Sequence, residues 1–187
     1  MSTCRTLAVV HGKSELILCK GIARELRINI ECDSDNNGET CIQILHLEER
    51  FCTGPYKTEG SLHRKFDKLE YLKGRSTQMP RLKIFSIMDT DDSHQSAITY
   101  KTGNMFRSSA FKDRIVPIFN TPSLDAVMKE CGFEINCKNS NEKIRSYHDL
   151  INDCEVPDLI EKLKNCKNTN LWVFLEHCTS IASNFQS

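Results

Sequence analysis

The sequence predicts an α/β protein: a central, mostly parallel sheet flanked by helices, with a helical C-terminal extension. Three observations carry this expectation. Short apolar runs suited to strands recur at Thr6–Val10, Leu82–Met88 and Ile115–Phe119. The first is followed by residues at helical spacing and then by a second strand pattern, the order that winds a parallel βαβ unit. Beyond about residue 145 the apolar spacing is helical to the end.

Taken in order, Thr6–Val10 is β-branched and apolar and is broken by Gly12. Ser14 is placed to cap a helix along which Leu16, Cys19, Ile22, Ala23 and Leu26 share a face. Ile28–Glu31 reads as the second strand, Asp33–Gly38 as a polar turn, and Thr40–Phe51 as a second helix. Residues 53–81 are less regular. Gly54, Pro55, Gly60, Gly74 and Pro80 punctuate them around a polar helix at Ser61–Leu72. Leu82–Met88 then runs into Asp89-Thr90-Asp91-Asp92, and Ile115–Phe119 into Asn120-Thr121-Pro122-Ser123. Pro122 suits the first turn of a helix whose face carries Leu124, Val127 and Met128. Leu159, Ile160 and Leu163 mark one tail helix, and Leu171, Trp172, Leu175 and Ile181 another.

A length of 187 residues suits one domain: an α/β core over 1–140, with residues 57–83 inserted, and a helical cap over 141–187. With 39% hydrophobic and 27% charged residues the chain is expected to fold rather than stay disordered. Lysines and arginines number 25, as do the acids, which excludes a globally basic nucleic-acid coat. The charge is nevertheless sorted: residues 57–83 carry a net +5, against −2 before and −3 after. Within that segment Arg64, Lys65, Lys68, Lys73 and Arg75 either track a phosphate backbone or form a solvated face.

No stretch approaches the roughly 20 apolar residues of a membrane span, and no secretory leader pattern opens the sequence. A cytoplasmic protein with no membrane partner is expected, its ten cysteines reduced. No Cys-x-x-Cys pair occurs, and Cys19 and Cys41 read as small core residues.

Two motifs carry chemistry. His11-Gly12-Lys13-Ser14-Glu15 follows the first strand and Asp89-Thr90-Asp91-Asp92 a later one. Open parallel sheets bind ligands beyond the carboxyl ends of their strands, so both motifs fall on one rim. Glu15, Asp89 and Asp91 offer hard oxygen ligands to Mg²⁺ or Mn²⁺, an ion able to hold phosphate and activate water.

In this order the motifs resemble a TOPRIM domain, the metal-binding fold of topoisomerases, bacterial primases and several nucleases, and are most similar to the OLD-type and RloB-like nuclease branch. That branch commonly writes its first turn Glu-Gly-x-Ser/Thr-Glu. The segment Asn120-Thr121-Pro122-Ser123-Leu124-Asp125 is similar to an Asn-Pro-x-x-acid segment of RloB-like chains. The resemblance covers about residues 5–130. It implies a small metal-dependent nuclease or phosphodiester-processing protein acting on DNA or RNA in defence. It also implies a separately encoded ATPase or other partner protein. Carried over, Glu15 is a metal ligand or general acid/base, and Asp89 and Asp91 are metal ligands. Asp92 and Asp125 are accessory acids, and Lys13 either meets phosphate or is solvated. His11 stands where the family has a principal catalytic glutamate. Histidine binds softer ions and brings no negative charge, so a catalytically degenerate binding or regulatory module is the alternative implication.

Other signals carry less. Asp33 to Gly38 matches half an EF-hand loop, but its twelfth position is Ile44 rather than glutamate. Neither a P-loop nor a Gly-x-Ser-x-Gly elbow is present. His148 and His177 lack metal-ligand spacing.

Overall fold

A computed structural model describes residues 4–72, 78–91, 94–136 and 139–184, with His94 described by its backbone alone. The protein is α/β. Its elements are β1 (Thr6–Val10), α1 (Lys13–Glu25), β2 (Glu31–Asp33), α2 (Leu47–Cys52), α3 (Glu59–Lys65), β3 (Lys83–Asp89), α4 (His94–Lys101), β4 (Ile115–Asn120), α5 (Leu124–Glu130), α6 (Ser140–Asp153), α7 (Val156–Lys164) and α8 (Leu171–Ser183). The four strands form one sheet in the order β2-β1-β3-β4, and every pairing is parallel.

Side-chain alternation sends successive strand residues to opposite faces. Ala8, Val10, Phe85, Ile87 and Ile118 face a core built with α1 and α5 to α8. Leu7, Val9, Ile84, Met88 and Ile115 face a second core built with Leu47, Phe51, Leu62 and Tyr100 from α2 to α4. The sheet is thus covered on both sides, as buried parallel sheets require. The tail helices are an integral layer: Phe174 of α8 packs edge-on to Phe85, ring centroids 5.2 Å apart.

Four element boundaries differ from the expectation, each for a local reason. The second strand is Glu31–Asp33 rather than Ile28–Glu31. Arg27 adopts φ +53°, and Ile28 N donates to Ala23 O and Arg27 N to Arg24 O. This is a Schellman closure of α1, which spends Ile28 on ending the helix. Residues 40–43 are not helical, because Ile42 N donates to His11 O just beyond the end of β1; a 3-10 turn at Ile44–His46 leads into the α-helix, which is only Leu47–Cys52. Thr58 caps α3, which ends at Lys65. The chain beyond it bridges Leu69 to Cys4 instead of continuing to Leu72. Pro122 precedes the fourth-strand crossover helix rather than sitting in its first turn, and Ser123 is the cap, its hydroxyl accepting from Ala126 N.

The short helix α4 has no counterpart in the sequence reading. His94, Gln95, Ser96 and Thr99 dilute its apolar pattern, and it is anchored by Tyr100, fully buried with its hydroxyl donating to the Ser86 and Ile118 carbonyls.

Candidate functional site: a buried carboxyl pair at the switch point

From β1 the chain crosses through α1 to β2 on one side and returns through α2 and α3 to β3 on the other. β1 and β3 are neighbours, so the strand order reverses between their carboxyl ends. Open α/β sheets place ligand crevices at such a switch point. His11 follows β1 there and Asp89 ends β3.

Glu15 reaches the same place from the first turn of α1. Ser14 was expected to cap that helix, but the helix begins one residue before it, with Gly12 as the cap residue. Gly12 has no side chain to cap with, and the Glu15 carboxylate accepts from Gly12 N at 3.0 Å instead, the reaching-back half of a capping box. Asp89 Oδ1 accepts from Leu124 N, the first amide of α5, at 2.8 Å. Each carboxyl is therefore held by a helix start. Both are nearly lost to solvent: Glu15 is 2% and Asp89 9% exposed. Among the described residues Asp89 Oδ2 has no hydrogen-bond partner.

Burial penalises the charged form. It raises Glu15 to about 7; the amide of Gly12 and the charge of Lys143 oppose the rise, and Asp125 adds to it. Asp89 is raised to about 8, by burial first and then by the charge of Glu15, with His11 opposing. The pair feels its own repulsion and holds protons near neutrality.

His11 Nδ1 lies 2.9 Å from the Ile42 carbonyl. A carbonyl only accepts, so Nδ1 carries the hydrogen, and Nε2 is the nitrogen left for proton transfer or a ligand. Asp91 is exposed; its charge is felt by Asp89 and Cys41. Asp92 lies outside the described residues. Lys13 is not aimed at the pair: its Nζ is 2.6 Å from Glu39 Oε1.

Asp125 is drawn into a network one layer behind. Its Oδ1 accepts from Ser14 Oγ at 3.2 Å and Tyr147 OH at 2.8 Å, and its Oδ2 pairs with Lys143 Nζ at 2.6 Å. Burial alone would raise Asp125, but Lys143 and Tyr147 outweigh it and hold the carboxylate below its usual range.

Several rim residues escaped the sequence reading. Cys41, expected in the core, is exposed, and its sulfur lies 3.5 Å from where a Cβ on Gly12 would stand. Cys19 is in the core as expected. Lys143 and Tyr147 lie on α6, four residues apart on one helix face. That spacing is visible in the sequence, but nothing in it says which helix the face meets. Asn120, the register partner of Asp89, is fully buried, with Nδ2 unpartnered and Oδ1 accepting from Thr169 Oγ1.

Of the basic segment, Lys65 and Lys68 pair with acids of β2. Arg64 is exposed and donates to Ser61 Oγ. Lys68 is 79% exposed and 3.8 Å from Glu31. Lys65 is committed to Asp33 at 2.6 Å. Asp33 also accepts from Tyr56 OH and Arg50. Burial would raise it, but Lys65, Tyr56 and Arg50 together hold it low. The EF-hand-like segment is thus a turn whose first acid anchors an internal ion-pair network. Lys73 and Arg75 lie outside the described residues.

Among the described residues no three His, Cys, Asp or Glu side chains converge as a metal-binding group. Two carboxyls do converge. Mg²⁺ is commonly held in just that way, by one or two carboxylates plus waters and substrate phosphate rather than an all-protein cage. The donor set fits an oxygen-seeking divalent ion shared with a ligand. No described helix is long and apolar enough to cross a membrane. Compared with family models, curated proteins and solved structures, the chain matches none.

Proposed function

We propose that the protein processes phosphodiester bonds of DNA or RNA, with Mg²⁺ or Mn²⁺ held between Glu15 and Asp89. The observation that carries this reading is the buried, mutually repelling carboxyl pair at the switch point. A structural carboxyl in such a place would be expected to pair with Lys or Arg, as Asp33 and Asp125 do. A divalent ion bound there would supply the missing positive charge and would polarise a phosphoryl oxygen.

The chain's own groups fill the remaining roles. Asp89 Oδ2 and the Glu15 carboxylate would hold the ion, their side chains positioned by Leu124 N and Gly12 N. Asp91 stands at the exposed edge, where it favours a cation. His11 Nε2 takes or returns a proton. The exposed Arg64 and Lys68 meet the polymer backbone. The order of the motifs, similar to that of TOPRIM nucleases of the OLD and RloB-like branch, points the same way, and a place in defence follows from that resemblance alone.

His11 in place of the expected glutamate favours a second reading: a degenerate module that binds nucleic acid without cutting it. One assay separates the two. Plasmid DNA and single-stranded RNA are incubated with the protein and Mg²⁺ or Mn²⁺, beside Glu15→Gln and Asp89→Asn. Both substitutions keep the oxygen that accepts from backbone. Cleavage by the native chain and at least a hundredfold less by each variant is expected. Equal cleavage by all three, or by none, contradicts the enzymatic reading, and His11→Glu then tests for degeneration through a gain of activity.

A further inference from the structure

Away from the rim, two cysteines share one depression. Cys131 closes the C-terminal end of α5, its amide donating to the Val127 and Lys129 carbonyls. Cys166 lies just beyond α7, its amide donating to Leu163 O. A cavity of about 250 Å³ is lined by both, together with Glu130, Lys162 and Asn165. The two segments run side by side. Asn168 Nδ2 donates to Glu130 Oε2 at 2.8 Å, and Cys131 Sγ is 3.9 Å from the Lys162 carbonyl. Burial raises the Cys131 thiol first, and contact with the Cys166 thiol raises it further. Cys131 is half-buried and open to reagent, whereas Cys166 is buried behind it.

The segment after Cys166 does structural work. Thr121 N donates to Asn168 O, Thr169 Oγ1 to Asn120 Oδ1, and Phe119 N to Asn170 Oδ1. Residues 168–170 thus strap the end of β4, beside the turn that leads to Leu124 and its bond to Asp89.

We propose that Cys131 and Cys166 form a two-thiol modification site that closes to a disulfide when a low-molecular-weight disulfide reaches it. The exposed Cys131 thiolate attacks the reagent, forming a mixed disulfide and releasing one thiol. Cys166 then attacks the Cys131 sulfur and releases the second. The two protein thiols are oxidised by two electrons, the reagent is reduced to two thiols, and the two protons leave with them. The bond staples the end of α5 to the strap that holds β4. This site is independent of the phosphodiester reading.

The test uses the native chain and glutathione disulfide at pH 8.5, which raises the thiolate fraction of Cys131 above that at neutral pH. Peptide mapping after blocking free thiols is expected to find a Cys131–Cys166 crosslink with a loss of two hydrogens, reversed by dithiothreitol, and a higher Tm for the oxidised protein. With Cys166→Ser, Cys131 is expected to stop at a stable glutathione adduct. Alkylation of both thiols after oxidation overturns the inference. So does pairing of either with a different cysteine, or an adduct on native Cys131 that never resolves.

Discussion

At the scale of residues the protein turns on Glu15 and Asp89. Both carboxyls are raised in the folded chain, to about 7 and about 8. Between the unfolded values near 4 and those folded values the folded chain holds protons that the unfolded chain has released. The stability that this pair contributes is therefore full below about pH 4 and is lost as pH rises through this window. Glu15→Gln and Asp89→Asn remove the titrating group but keep the backbone bonds. Each variant is expected to gain on the native chain as pH rises from 5 to 8.5, by on the order of 2 kcal/mol at the upper end. Urea titrations across that range measure it, and a difference independent of pH contradicts it. Glu15, Asp89 and His11 were legible as candidates from their places after strands. Their burial was not, because it depends on α5 and α6, which follow Glu15 by more than a hundred residues and Asp89 by 35 or more.

At the scale of elements, the site depends on how closely α6 lies on α1. A Cβ on Gly21 would run into Ile151 Cδ1 and stand 3.2 Å from Ile151 Cγ1. That close approach sets where α6 holds Lys143 and Tyr147 against Asp125. Gly21→Ala gains about 1 kcal/mol of helix propensity but overpacks the contact at about 1–3 kcal/mol. A net loss of roughly 1 kcal/mol is expected. Ile151→Val removes the offending Cδ1, so adding it to Gly21→Ala is expected to cost less than it does in the native chain. Strict additivity of the two in denaturant unfolding contradicts a shared contact. The strands β1, β3 and β4 were legible because short apolar runs between turn residues have few other readings. The ends of α1, α2 and α3 were not. Arg27 in the left-handed region, the Ile42–His11 bond and the Leu69–Cys4 bridge are decided by tertiary partners rather than local propensity.

For the whole molecule, zero net charge conceals a division of labour. The acids that matter lie at the switch point, while Arg64 is exposed at the end of α3 and Lys68 is exposed beside Glu31 of β2. Each cation that meets a phosphate steepens the salt dependence of binding by about 0.9 in log–log slope. Affinity for duplex DNA is expected to fall steeply with salt, and Arg64→Ala with Lys68→Ala to flatten the slope by roughly 2. A flat response in the native chain returns the segment to a solvated face. The parallel sheet and the shared rim were legible from the order of motifs. The commitment of Lys65 to Asp33 was not, because an ion pair across 32 residues leaves no periodic trace.

Mn²⁺ binding at pH 7, followed by calorimetry in buffers of different ionisation enthalpy, tests the cation site most directly. Carboxyls that hold protons in the folded chain must release them to bind a metal. Saturable binding with proton release, abolished in the Glu15→Gln/Asp89→Asn double variant, is expected. Absence of saturable binding, or the same affinity and proton count in that variant, contradicts a divalent ion held between Glu15 and Asp89.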